Sequence, residues 1–430
     1  MRDAADYALR ALLKAGADKA ACTASRNRKD EFNAESGGFS LLRTLFEESL
    51  VLKALKGGRK GVAVVNRLDR ESVDRAVSDC VALADAASPD EAEDIAPLCE
   101  NKSFDQGIGG ADMAALFARS KEFVEQLRDE FPKIVLKEMA SEFNGRQRAY
   151  ANSNGVSFEQ NTESYGFSSM FCAKDGGKTS SFNHCGATVA SLDRPFMDAG
   201  MQRALLEEAQ RSPDARTAEG KFVGKVIVTP ACADMVWGTL LGCFLGDRPM
   251  IEGTGRWKDS LGERVADAGL TFGASPLSPL VVAGERFTGD GFESRDFCFI
   301  REGVLESFAL SLYGANKTGK PRAGNSAFWN FEVAAGDVPL AEMVKGVDRG
   351  ILLNRFSGAS PGPSGDVSGV AKNSFLIENG RVTDALKETM LSFNLPDALK
   401  SIPAISRERC ANGSSVLPWC CLDGVTVSGK

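Results

Sequence analysis

Apolar and polar positions along this chain follow two periods, and each change of period marks an element. Ala4, Ala5, Ala8, Leu9, Leu12 and Leu13 share one stripe, which predicts an amphipathic helix over 3–15 with Gly16 as its stop. Residues 20–26 alternate and predict a strand. Residues 50–55 and 61–65 flank the glycine-bearing stretch 56–60 and predict a hairpin. Asp69 is placed to cap a helix through Val73, Val77, Cys80 and Val81 that ends at Ser88-Pro89-Asp90. Residues 88–110 read as a loop and 113–131 as a second long helix.

After Pro132 the period shortens to two. The stretches 133–142, 146–152, 158–166, 167–174 and 178–189 predict an antiparallel meander, with a turn at Asn154-Gly155. A helix over 198–211, a strand over 221–228 and an apolar helix over 231–245 behind Pro230 follow. Beyond 250 the chain is glycine-rich. Short strands are expected at 280–282, 296–301, 304–313, 328–334, 373–378 and 424–428, with a helix over 340–350 and a loop over 356–369. The pattern predicts an α+β fold: a mixed N-terminal domain with antiparallel strands and long helices, then a β-dominated C-terminal domain, barrel-like or a closed sheet. Its boundaries are expected at 1–110, 111–220 (central helix plus meander) and 221–430.

Composition narrows the chemistry. The chain has 430 residues, enough for two or three domains, with 43% hydrophobic and 25% charged residues. Its net charge of −7 makes it a poor general binder of nucleic acid. The acidic start Met1-Arg2-Asp3 is unlike a signal peptide, and no apolar run approaches the ~18 residues of a membrane span. The eleven cysteines are scattered and form no Cys-x-x-Cys, which reads as reduced core cysteine in a cytoplasmic protein. A single histidine, His184, excludes any zinc site built on two histidines.

Most local motifs fail on chemistry. Residues 314–320 match phosphate-loop spacing up to Lys320, but Pro321 supplies neither a hydroxyl nor an N–H. The stretch ending in Gly177-Lys178-Thr179 has Cys172 where the first glycine belongs. His184 beside Cys185 suggests a base and nucleophile, yet neighbours on a strand point to opposite faces, so a structural or surface histidine is expected. Cys420-Cys421 with Cys410 lacks a closed four-ligand spacing. Asn101, Asn316 and Asn412 open glycosylation triplets, which carry no meaning in a cytosol.

An ordered set of segments resembles the TldD/PmbA family over nearly the whole chain. It comprises Asp69-Arg70-Glu71-Ser72, Asn152-Ser153-Asn154-Gly155, the strand from Gly220-Lys221-Phe222 to Thr229-Pro230, Trp257-Lys258-Asp259-Ser260, Arg301-Glu302-Gly303, Ser311-Leu312-Tyr313-Gly314, Gly324-Asn325, Arg349-Gly350-Ile351 and Glu378-Asn379-Gly380. The TldD branch carries a His-Glu-x-x-x-His helix that holds zinc, with a C-terminal cysteine, for peptide hydrolysis. Here the equivalent helix reads Val236, Trp237, Gly238, Thr239, Leu240, Leu241, and a lone Asp234 or Thr239 is not a ligand set. Cys410 falls near the C-terminal ligand position, as a vestigial ligand.

The resemblance therefore implies the PmbA branch, also called TldE. That means no metal, no cofactor, no catalytic residues of its own, and inactivity alone. It also implies a TldD-like zinc peptidase subunit as hetero-oligomeric partner, or a homodimer, and an unfolded peptide as substrate of the assembly, in peptide maturation and proteolysis. The alternatives are a self-sufficient peptidase of another mechanism, or a regulator of DNA gyrase or another partner.

Overall fold

The computed structural model describes residues 1–327, 330–358 and 361–429, apart from the side chain of Asp234. Its first sheet contains β1 (Lys19–Glu35), β2 (Gly38–Lys56), β3 (Arg59–Val65), β4 (Lys102–Gln106), β5 (Ile134–Asn152), β6 (Ser157–Asp175), β7 (Lys178–Thr179) and β8 (Asn183–Val189). The spatial order is β3-β2-β1-β5-β6-β4, with β7 and β8 also paired to β6. Strands from residues 1–110 and 111–220 thus share one sheet.

Helices α1 (Arg2–Lys14), α2 (Arg70–Ala86) and α3 (Met113–Glu130) cover one face of it. The even positions of β1 explain this. Ala20, Cys22 and Ala24 pack under α1 and α2, and Phe32 and Ala34 under α3. The odd position Ala21 faces the other way, into a core with Tyr150, Phe158 and Phe287. Helix ends follow local chemistry. Gly16 follows α1 at φ +96°, a conformation that L side chains resist. The Asp69 carboxylate accepts from the Ser72 N–H at 3.0 Å. Asp69→Ala is expected to cost about 1 kcal/mol in denaturant unfolding, the usual value of an N-cap.

The second sheet contains β9 (Lys221–Val228), β10 (Phe272–Ala274), β11 (Phe297–Arg301), β12 (Val304–Leu305), β13 (Phe331–Val333), β14 (Arg349–Leu353), β15 (Arg355–Gly358), β16 (Asp366–Lys372), β17 (Ser374–Glu378), β18 (Arg381–Leu386), β19 (Thr389–Asn394), β20 (Ala404–Ala411) and β21 (Val416–Ser428). The main path is β12-β11-β10-β13-β21-β9-β14-β17-β18, with β19 and β20 also on β21. The architecture is α+β, as the sequence pattern predicts. Between the sheets lies α4 (Gln202–Gln210), and behind β9 comes α5 (Asp234–Leu240).

Several elements differ from the sequence expectation. The stretch 88–110 contains β4, which runs parallel to β6. Only Val304–Leu305 of 304–313 is a strand. The Ser311 hydroxyl caps a helix, Leu312–Thr318, by accepting from the Gly314 N–H. The phosphate-loop look-alike is therefore a helix with Gly319 as its left-handed end. Residues 280–282 form an isolated bridge, Val281 to Gly413. The helix at 340 stops at Lys345, and the loop 356–369 includes parts of β15 and β16. Of the strand expected over 328–334, Phe328 and Trp329 lie outside the described residues, and β13 covers Phe331–Val333. No helix among the described residues is long and apolar enough to cross a membrane.

Candidate functional site

The chain leaves β9 through Thr229, turns at Pro230–Cys232 and enters α5, which runs on as a π-helical turn, Leu241–Leu245. Hydrophobic burial orients this helix. Val236, Trp237, Leu240 and Leu241 are at most 4% exposed and sit in the largest apolar core. The Trp237 ring stacks on Phe272, with centroids 4.7 Å apart. Gly238 is exposed and Thr239 half-buried. The buried face of the helix is thus filled by hydrocarbon.

Zinc needs lone-pair donors on that face, and the residues present do not fit it. Among the described residues, no three His, Cys, Asp or Glu side chains converge as a metal-binding group. Cys410 stands elsewhere, on β20, where burial pushes its thiol up to about 11.

The helix entry and Cys410 do meet at a cavity of about 170 Å³, lined by His184, Cys185, Pro230, Ala231, Cys410 and Asn412 among others. It lies between the edge of β8, α4 and the β20–β21 turn. None of the six helix positions named above lines it. His184 and Cys185 both do, although His184 is exposed while Cys185 packs against the core beneath α3. Burial also pushes the Cys185 thiol up to about 11, and nearby Cys410 adds in the same direction. Both thiols are protonated at neutral pH, a poor state for a nucleophile or a metal ligand. Cys420 and Cys421 face different cores, as adjacent strand residues must.

Asn412 is the residue that sequence reasoning missed. Its carboxamide oxygen accepts from the N–H and hydroxyl groups of Ser414 and Ser415, and its backbone oxygen accepts from the Thr188 N–H at 2.8 Å. The signal was present as Asn412-Gly413-Ser414-Ser415, a polar turn read only as a glycosylation triplet. The Thr188 bond also sets the edge chemistry of β8. Along an antiparallel strand alternate residues turn their N–H and C=O outward. Thr188 points away from β6, so Gly186 does too, toward the cavity. That backbone pair is suited to an extended chain laid along the edge.

One half-buried carboxyl lies a turn beyond the cavity. Glu208 on α4 accepts from the Asn354 Nδ2 at 2.6 Å. Burial pushes its pKa up to about 7, against the opposing pull of Asn354 and Arg211. The unfolded value is about 4.3, so the native state holds this proton more tightly. Its stabilising contribution is complete below about pH 4 and lost as pH rises through about 7. Glu208→Gln should therefore unfold with on the order of 3–4 kcal/mol more free energy than the parent at pH 8, a gap that closes by pH 4.

Residues 220–429 match the family described as PmbA/TldA metallopeptidase C-terminal domain. The chain is 23% identical over 381 residues to Metalloprotease PmbA of Escherichia coli O157:H7, covering 84% of this chain and 82% of that one. The C-terminal half of this chain is a PmbA/TldD-family domain, and most of its length resembles PmbA/TldD proteins. A further PmbA/TldD relative, the Metalloprotease PmbA homolog of Haemophilus influenzae, is 20% identical with 89% and 86% covered. The crystal structure of TldE from Thermococcus kodakarensis shares the fold, with a TM-score of 0.84 at 19% identity and 99% of each chain covered.

Proposed function

We propose that this chain is the metal-free, TldE-like subunit of a two-subunit peptidase acting on unfolded peptides, its partner supplying the zinc. The observation that carries the proposal is the packing of α5: Val236, Trp237, Leu240 and Leu241 offer no donor atoms and fill an apolar core. A helix whose buried face is hydrocarbon can neither bind a Lewis acid nor place a base beside an activated water. What this chain offers instead is the outward-facing backbone of Gly186 on β8, beside the cavity, to which an extended peptide can pair. A thiol mechanism is disfavoured because burial keeps the Cys185 and Cys410 thiols protonated.

The test is reconstitution. The chain is mixed with the paralogue that carries the His-Glu-x-x-x-His helix, and cleavage of an unfolded peptide is followed. Co-elution of the two chains, with hydrolysis faster than by the paralogue alone, is expected. Absence of both co-elution and stimulation overturns the reading.

A further inference from the structure

Two arginines on the helix-free face of the first sheet carry charge that no ion pair balances. Tyr150 of β5 faces the core with Ala21, Phe158 and Phe287, so Arg146 and Arg148 share that face by strand alternation. Arg146 is exposed and Arg148 half-buried. Neither has an ion-pair partner among the described residues. Every Lys and Arg of β1 and β2, by contrast, is paired, among them Lys29 with Glu142 and Arg43 with Glu31. The register supplies the reason. Arg146 sits between Asn27 and Thr162, and Arg148 between Ser25 and Gln160, all neutral. The next carboxylate in the Arg146 row is Glu47 on β2, two strands or about 10 Å away. Glu285 acts on Arg148 from the loop between β10 and β11, but its Oε1 already accepts from the Ser294 hydroxyl and the Ser326 N–H.

Arg148 is also held in place. Its Nη1 donates to the Phe287 carbonyl at 3.1 Å, and its guanidinium carbon lies 4.4 Å from the Phe287 ring centroid. Burial first, and then repulsion from Arg146, hold its pKa down at about 10, so it stays cationic at neutral pH. A fixed, partly desolvated cation beside a second one is costly, and an anion bound to both offsets that cost. A carboxylate suits the pair, because a guanidinium fork matches its two oxygens. The same face carries the cavity wall beside β8. Glu142 of β5 pairs with Gly166 of β6, and Gly166 with Thr188 of β8, and all three line a cavity of about 200 Å³. Arg146 follows Glu142 by four residues, about 13 Å along the strand, so about four residues of extended chain cover that rise.

We propose that Arg146 and Arg148 bind a carboxylate of the extended peptide that lies beside β8. The proposal rests on the peptide part of the function given above and not on its zinc part. Fluorescence anisotropy of N-terminally labelled unfolded peptides, titrated with the purified chain, tests it. One peptide has a free C-terminus, one an amidated C-terminus and a single internal glutamate, and one, amidated with glutamine in that place, no carboxylate. The chain's net charge of −7 repels an anionic peptide overall, so a preference for one has to come from a local site. At least one carboxylate peptide is expected to bind about tenfold tighter than the neutral one, and which one does so separates a terminal from a side-chain carboxylate. Arg146→Gln, at an exposed position that spares the fold, should remove the preference and leave the affinity for the neutral peptide unchanged; Arg146→Lys should keep part of it. Equal affinities for all three peptides, a preference that survives Arg146→Gln, or no binding of any peptide overturns the inference. Equal affinities leave the peptide reading standing, whereas no binding at all counts against both.

Discussion

Trp237→Ala should destabilise the protein by about 3–5 kcal/mol, the range for removing a buried tryptophan without refilling the space. The indole is 2% exposed and stacks on Phe272, which in turn packs against Phe299 and Phe331. Truncation leaves a hole beside an aromatic cluster in the largest apolar core. The next residue gives the contrast. Gly238 is exposed, and a Cβ built there meets nothing within 4 Å. Gly238→Ala should be neutral or stabilising by up to about 1 kcal/mol, the helix-propensity gain. Denaturant unfolding of the two variants reads both numbers. If α5 instead bordered an open metal-sized site, Trp237→Ala would cost under about 1 kcal/mol, because no packed contacts would be lost.

Gly413→Ala is expected to cost about 2–5 kcal/mol and to disturb the cavity itself. Two physical reasons add. The residue sits at φ +83°, where a Cβ brings strain of about 1–2 kcal/mol. A Cβ there would also stand 1.8 Å from the Thr188 carbonyl oxygen, so backbone must move. Overpacking of that kind adds about 1–3 kcal/mol. The movement pulls the β20–β21 turn away from β8 and breaks the Thr188–Asn412 bond that closes one end of the cavity. Amide exchange at Thr188 should accelerate in the variant while that of β1 does not change. Equal protection of Thr188 in both proteins would show that the turn is not held by this contact.

Elements set by local chemistry were legible in the sequence. The Asp69 cap, the Gly16 stop and the hairpin at Gly57-Gly58 each depend on residues within a few positions of one another. The length of β1 was not legible, since only 20–26 alternated. Its remainder places Asp30 and Glu31 at 3% exposure, held by Arg28, Thr44 and Arg43. A strand whose buried positions are charged has no hydrophobic period to read. Strand β4, Lys-Ser-Phe-Asp-Gln, is half polar and pairs with Phe158–Thr162 far along the chain, which local pattern cannot foresee. Residues 304–313 alternate like a strand. They end in a helix because Asp247, distant in sequence, accepts from the Ser311 N–H and hydroxyl.

The candidate site divides in the same way. The donor-free character of positions 236–241 was visible as residue types, whereas their burial needed the fold. The cavity was invisible because four separated segments build it: β8, α4, the turn at Pro230 and the β20–β21 turn. No spacing in the sequence links His184 to Cys410.

The central claim is that this chain has no zinc chemistry of its own, and metal analysis coupled to a hydrolysis assay on the purified single chain tests it most directly. After equilibration with zinc and removal of the excess, the account predicts far less than one zinc per chain and no cleavage of an unfolded peptide. One zinc per chain, together with hydrolysis that a chelator abolishes and zinc restores, would contradict it.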